Sequence, residues 1–196
     1  MRDEPGLEPA SAPVPGDDLK EVVMGLNWDP RQPDTAGGTE PIDLNALCLA
    51  LDGEGRMIDA VYPGRTRNAN GSIVHTGDSA TGASVWDDER IFVFLDALPP
   101  SVSALEFAVS SATGQPLAEV PGACCHISDR VSEQEWIRVD LTAVGPHRAC
   151  RVATLRRGSH GWRIAPDTTP MDDQRLAALE YAAAMTDRAI DNRPPG

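Results

Sequence analysis

The chain has 196 residues, enough for one large domain with tails and a core that folds without staples. Thirty acidic residues against 17 basic ones give a formal net charge of -13. That balance argues against nucleic acid or an anionic membrane surface as the main partner, and it suits a protein that binds cations. No apolar run approaches a membrane span, and no basic start followed by an apolar segment resembles a leader, so the expected location is the cytoplasm. The four cysteines, Cys48, Cys124, Cys125 and Cys150, lie in apolar strand-like runs without CxxC spacing. Neighbours on a strand point to opposite faces, so Cys124 and Cys125 make no ligand pair, and all four are expected to be reduced packing residues.

Residues 1–20 carry four prolines and five acids with almost nothing to bury, which predicts a disordered acidic tail. From Val22 the pattern turns to strands. "EVVMGLNWD" (21–29) reads as the first, followed by a loop whose prolines and paired glycines forbid helix. "IDLNALCLAL" (42–51) and "RMIDAVY" (56–62) flank "DGEG", a hairpin-type turn. "GSIVHT" (71–76) is short. "RIFVFL" (90–95) is apolar on both faces, so it should lie centrally. "ALEFAVS" (104–110) alternates, with Leu105, Phe107 and Val109 on one side. "ACCHIS" (123–128), "EWIRVDL" (135–141), "ACRVATLRR" (149–157) and "GWRIA" (161–165) complete the set, the last two joined by a hairpin loop. Many short strands with Gly- and Pro-rich connections predict an all-β fold, a two-sheet β-sandwich over 21–167. The end of the chain differs. Thr169 as N-cap, Pro170 at the first helical position and Asp172 three residues after Thr169 predict a C-terminal α-helix over 168–191, its Leu176, Leu179, Ala183 and Ile190 sharing a face.

The stretch "GSIVHTGDSATGASVWDDE" poses the chemical question, because three adjacent acids, Asp87, Asp88 and Glu89, stand at the mouth of an apolar strand. Calcium takes six to eight oxygen ligands from carboxylates, amides, hydroxyls and backbone carbonyls. The loop offers Asp78, Ser79, Thr81 and the three acids, with Gly77 and Gly82 to let the backbone curl. Asp43 and Asn45, at i and i+2, share a strand face, and Asp29 ends the first strand. A bound dication would offset the repulsion among the acids. No EF-hand register is present.

"MGLNWD", "DLNALCLAL", "GSIVHTGDSATG" with "DDERIFVFL", "LPPSVSALEFAVS" and the closing pair "VATLRR"/"HGWRIAP" together resemble the TerD family of tellurium-resistance and stress proteins, over roughly residues 22–166. The resemblance implies a β-sandwich holding calcium in loops at one end, in a tellurite-resistance or stress-response system, and no catalytic chemistry. Carried over by position, the metal ligands are Asp43, Asn45, Asp78, Asp87, Asp88 and Glu89, with Asp29 ranked below them and His75 supporting the loop. The chain departs from the family pattern at Asn45, at Ser79 and above all at Ala83–Ser84–Val85–Trp86, where the family places an acidic, Gly-rich run. Fewer carboxylates imply weaker calcium binding or one site only. The alternative is a metal-free interaction module that meets a protein partner through Trp86 or the C-terminal helix. A third reading, a hydrolase using His75, has no supporting nucleophile motif, so the chain is expected not to be an enzyme.

Overall fold

The computed structural model describes residues 19–30, 41–76, 81–82, 87–172 and 177. Eleven strands are present among them: β1 (Glu21–Asn27), β2 (Leu44–Leu51), β3 (Met57–Val61), β4 (Ile73–Thr76), β5 (Glu89–Phe94), β6 (Ala104–Ser111), β7 (Cys124–Asp129), β8 (Glu135–Asp140), β9 (Ala149–Gly158), β10 (Gly161–Pro166) and β11 (Pro170–Met171). All but β11 follow an alternating or apolar run bounded by turn residues. The Asp52-Gly53 turn, for example, is held by the Asp52 carboxylate, which accepts from the backbone N–H groups of Glu54 and Arg56 at 2.9 Å.

The strands form two antiparallel sheets. One runs β4-β5-β1-β7-β8; the other runs β10-β9-β6-β2-β3, with β11 also on β9. Their inner faces meet in a single core. Val22, Met24, Leu26, Ile91, Val93, Cys125 and Ile127 from the first sheet face Leu44, Ala46, Cys48, Leu105, Phe107, Val109 and Leu155 from the second, all essentially without solvent exposure. The period of two put Leu105, Phe107 and Val109 on one face, and the core contains all three. The fold is an all-β two-sheet sandwich.

β5 explains its own apolar outer face. It lies between β4 and β1, burying Ile91 and Val93, while Phe92 and Phe94 on the outer side lie beneath the Arg130 guanidinium, 6.0 and 5.6 Å from their ring centroids. That is cation–π geometry and hides aromatic surface that would otherwise face water. The folded domain starts earlier than the first strand, because Leu19 is buried in the core and the Lys20 carbonyl accepts from the Leu95 N–H.

The C-terminal helix requires correction at its start. Pro170–Met171 is a strand instead, and among the described residues only Ala177 is α-helical. After β10 the chain stays on the edge of β9: Asp167 donates to the Val152 carbonyl, Arg151 donates to the Thr169 carbonyl, and Pro170 and Met171 pair with Cys150 and Ala149. A proline tolerates an edge strand, where no ladder partner needs its missing N–H. Met171 is buried against Leu47, Ala108 and Ala149, with the half-buried Tyr62 alongside. Thr169 therefore caps nothing. Its N–H is bonded to the Asp167 carboxylate. Residues 173–176 and 178–191 of the expected helix, and residues 1–18 of the expected tail, lie outside the described residues.

Candidate functional site

Trp28, just beyond β1, organises one end of the sandwich. Its backbone N–H donates to Asp88 Oδ2 at 3.1 Å and its indole Nε1–H donates to the Ile42 carbonyl at 3.0 Å. Gly82 lies directly on it. A Cβ at Gly82 would stand 2.4 Å from the indole Nε1 and 2.8 Å from the Trp28 carbonyl oxygen, and the φ of +65° independently favours glycine there. Trp28 thus gathers three segments: its indole meets the Ile42 carbonyl leading into β2 and Gly82 at the end of the loop, and its backbone N–H holds Asp88 before β5. Asp29, next to it, donates its N–H to the Pro121 carbonyl, and its carboxylate lies where a side chain on Gly122 would be.

The three consecutive acids do not point the same way. Glu89 is the first residue of β5, so its side chain enters the sandwich, where it is fully enclosed. It accepts from the Ala46 N–H of β2 and lies 3.4 Å from His75 Nε2, itself fully enclosed on β4. Asp88 is almost fully buried on Trp28. Asp87 turns to the outer face of the first sheet. There Oδ1 accepts from Asn27 Nδ2 at 2.8 Å and lies 3.0 Å from His126 Nε2, while Oδ2 accepts from Arg90 Nε at 2.6 Å. The repulsion expected of three adjacent charges is relieved by separate partners.

The Asp87 cluster depends on strand register. Arg90, Gly25 and His126 are lateral neighbours across β5, β1 and β7. His126 reaches Asp87 by passing over Gly25, where a Cβ would stand 2.2 Å from His126 Nε2 and 2.7 Å from Asp87 Oδ2. Burial alone would raise the Asp87 pKa, but the bonds to His126, Asn27 and Arg90 outweigh it and hold the carboxyl well below the usual range. The cluster forms one wall of a cleft of about 590 Å³ that continues past Ser128 to Arg138. His126, Asn27 and Arg90 are the site residues that strand alternation alone does not reveal. Gly25 inside an apolar strand was the available signal, since such a glycine marks a close approach.

Asp43 and Asn45 do share a face, half-buried and opposite the Leu44–Ala46 face that enters the core. The Asp43 N–H donates to Thr113 Oγ1. Asp78, Gly77 and Trp86 lie outside the described residues. Among the described residues no three Asp, Glu, His or Cys side chains converge on one point. The donor chemistry at the Trp28 end is hard oxygen, which fits calcium rather than a soft metal.

All four cysteines are free. Burial pushes the Cys150 thiol up to about 12 and also raises those of Cys48 and Cys125, so these thiols stay protonated and unreactive. Cys124 differs. It is half-buried on the outer face, 3.7 Å from the Arg138 guanidinium, and burial raises its pKa as well. His147, in the loop before β9, and His160, in the β9–β10 turn, are exposed.

Comparison with known proteins agrees with this architecture. A family model described as the TerD domain matches residues 13–181. The chain is 36% identical over 149 residues to tellurium resistance protein TerZ of Serratia marcescens, covering 74% of this chain and 77% of that protein. It is 32% identical over 173 residues to tellurium resistance protein TerD of Alcaligenes sp, covering 85% and 84%. It also resembles general stress protein 16U of Bacillus subtilis (strain 168), 33% identical over 130 residues, covering 63% and 66%. Among solved structures, a homologue of telluride resistance protein (TerD) from Streptomyces coelicolor A3(2) superposes with a TM-score of 0.72 at 22% identity, covering 86% of this chain and 98% of that one, which establishes the shared fold. With its "HTGD…TG…DDE" stretch set between β4 and β5 and a TerD model spanning most of its length, the chain belongs to the TerD domain family.

Proposed function

We propose that this TerD-family protein works in a tellurium-resistance or stress response as a cytoplasmic, non-enzymatic calcium-binding protein with one site at the Trp28 end of the sandwich. The observation that carries the reading is that Trp28 is bonded to Asp88 and to the Ile42 carbonyl, next in sequence to Asp43, with Gly82 lying on its indole. Asp88 and Glu89 are carboxylates kept out of water, a costly placement that a nearby dication would help to offset. Asp43, Asn45 and Asp88 would supply oxygen, completed by Asp78 and backbone carbonyls of the 77–86 loop. Glu89 would bind less directly, because it already ties β5 to β2 and faces His75. Asp87 would contribute only to the fold, since its two oxygens are engaged by Asn27, His126 and Arg90. A bound calcium would neutralise the clustered carboxylates and stiffen the loop.

A metal-free interaction module is the second reading, favoured by the protein-derived hydrogen bonds that each of Asp87, Asp88 and Glu89 accepts. A partner would then meet the Trp86 segment or the C-terminal segment. The enclosure of His75 beside Glu89 speaks against a hydrolase built on it.

Thermal unfolding of the chelator-stripped protein separates the two. Calcium at about a hundred times its dissociation constant stabilises by roughly 2.7 kcal/mol. The calcium reading expects a rise in the transition temperature that magnesium at equal concentration does not reproduce. An unchanged transition in both salts supports the interaction module.

A further inference from the structure

The outer face of the first sheet carries an open cleft of about 360 Å³ beside β4 and β5. Its lining is Arg67, Gly71, Val74, Phe92, Phe94 and Arg130, with no acid among them. Strand register explains the arrangement. Arg67 bridges Val74, Val74 pairs with Phe92, and Phe92 pairs with Val23, so these side chains form one lateral row across the outer face. Phe94 lies two residues beyond Phe92 and shares that face. The floor is therefore apolar, and a cation stands on either side of it.

The two cations differ. Arg130 is held in place: its guanidinium bonds the Glu21 carboxylate and lies 6.0 and 5.6 Å from the Phe92 and Phe94 ring centroids. Arg67 is exposed, and among the described residues it has no hydrogen bond, ion pair or ring contact. The net charge of -13 leaves carboxylates to spare, yet no described one is set against Arg67. The rim between them is built in advance. Buried Asn68 donates to Ser72 Oγ and accepts from the Ile73 N–H, both at 2.9 Å, which fixes the turn. Gly71, at φ +73°, has no atom within 4 Å of where a side chain would begin, so the approach is clear. Neighbouring strands are about 4.8 Å apart, which puts the Arg67 backbone roughly 10 Å from that of Phe92, across β4. A small two-ring anion spans such a distance. A flat ring gains offset or edge-on contact with phenylalanine and stacks on a guanidinium, whereas an aliphatic chain gains burial alone. An anionic group on Arg67 makes charge-assisted hydrogen bonds that the free protein lacks. We propose that this cleft binds a small aromatic anion, its ring against Phe92, Phe94 and Arg130 and its carboxylate, sulfonate or phosphate group on Arg67. The site is separate from the Trp28 end and needs no calcium.

The test uses the full-length protein in chelator, so that its outcome is independent of calcium, and follows backbone amide resonances during titration. Three probes are compared: naphthalene-2-sulfonate, which has the ring and the charge; naphthalen-2-ol, which has the ring without the charge; and inorganic phosphate, which has the charge without the ring. The proposal predicts saturable movement of the Arg67, Val74, Phe92, Phe94 and Arg130 amides with naphthalene-2-sulfonate, and no movement of Arg156 and Arg163 on the other sheet. The neutral ring and the bare anion should each bind about tenfold or more weakly, a difference of about 1.4 kcal/mol or more. Arg67→Gln should weaken the sulfonate to the level of the neutral ring and leave naphthalen-2-ol unchanged. Its unfolding temperature should equal that of wild type, since Arg67 is exposed and bonds nothing. Phe94→Leu should weaken both ring probes, with the amides of β9 and β10 in place to show that the sandwich is intact. Equal affinity for the sulfonate and the neutral ring, or for the sulfonate and phosphate, overturns the proposal. So does an Arg67→Gln protein that binds the sulfonate as wild type does, and so does movement confined to the other sheet or a titration that never saturates.

Discussion

Asp87 shows how one carboxylate can be set apart from two chemically similar neighbours. It lies two residues from Glu89, yet Glu89 enters the core and Asp87 lies on the outer face with His126, Asn27 and Arg90. Gly25 makes this possible by leaving empty the space that a Cβ would take from His126. The pH consequence has a definite sign. A folded-state pKa below the unfolded value means that the cluster stabilises fully above the ordinary Asp value of about 3.9 and loses that contribution as pH falls toward the depressed one. Urea midpoints measured from pH 6 down to pH 3 should therefore fall less steeply in Asp87→Asn than in wild type, while the variant is less stable at pH 6. Parallel curves would show that Asp87 ionises equally in both states. None of this was legible in residues 71–89 alone. The acids read as one cluster because they are adjacent in sequence, whereas their partners come from β1 and β7 through a register that alternation does not specify.

At the level of elements, the strands were the readable part. Leu105, Phe107 and Val109 alternate, the Asp52-Gly53 turn has its expected chemistry, and the 157–161 loop closes a hairpin. β5 was placed centrally from its double-sided apolarity, although the agent covering its outer side is Arg130 rather than a second layer. β11 was misread because its signals are ambiguous. Thr-Pro before an acid marks a helix start, but the same proline suits an edge strand, and backbone pairing with β9 decides between them. Met171 gives the strand its energetic anchor. Met171→Ala should cost about 2–3 kcal/mol, at the low end for a buried methionine because its cluster is small. Chemical denaturation measures this directly. A loss within a few tenths of a kcal/mol would mean that β11 adds little to the sandwich.

The whole molecule is a sandwich with two differently charged features. At one end Trp28 draws together the lead into β2, Gly82 of the β4–β5 loop and Asp88 before β5. The cleft between Arg67 and Arg130 lies on the outer face of the first sheet. Family membership was legible because its motifs occur in order, "GLNWD", "DLNA", "HTGD" and "DDE". The division of labour among the acids was not legible, because it depends on where β5 begins. Isothermal titration of the chelator-stripped protein with calcium, in parallel for wild type, Asp88→Asn and Asp87→Asn, tests the central claim most directly. The account predicts one saturable calcium site in wild type, its loss or at least a tenfold weakening in Asp88→Asn, and near-wild-type affinity in Asp87→Asn. Calcium heats absent from wild type, or abolished by Asp87→Asn while surviving Asp88→Asn, would contradict it.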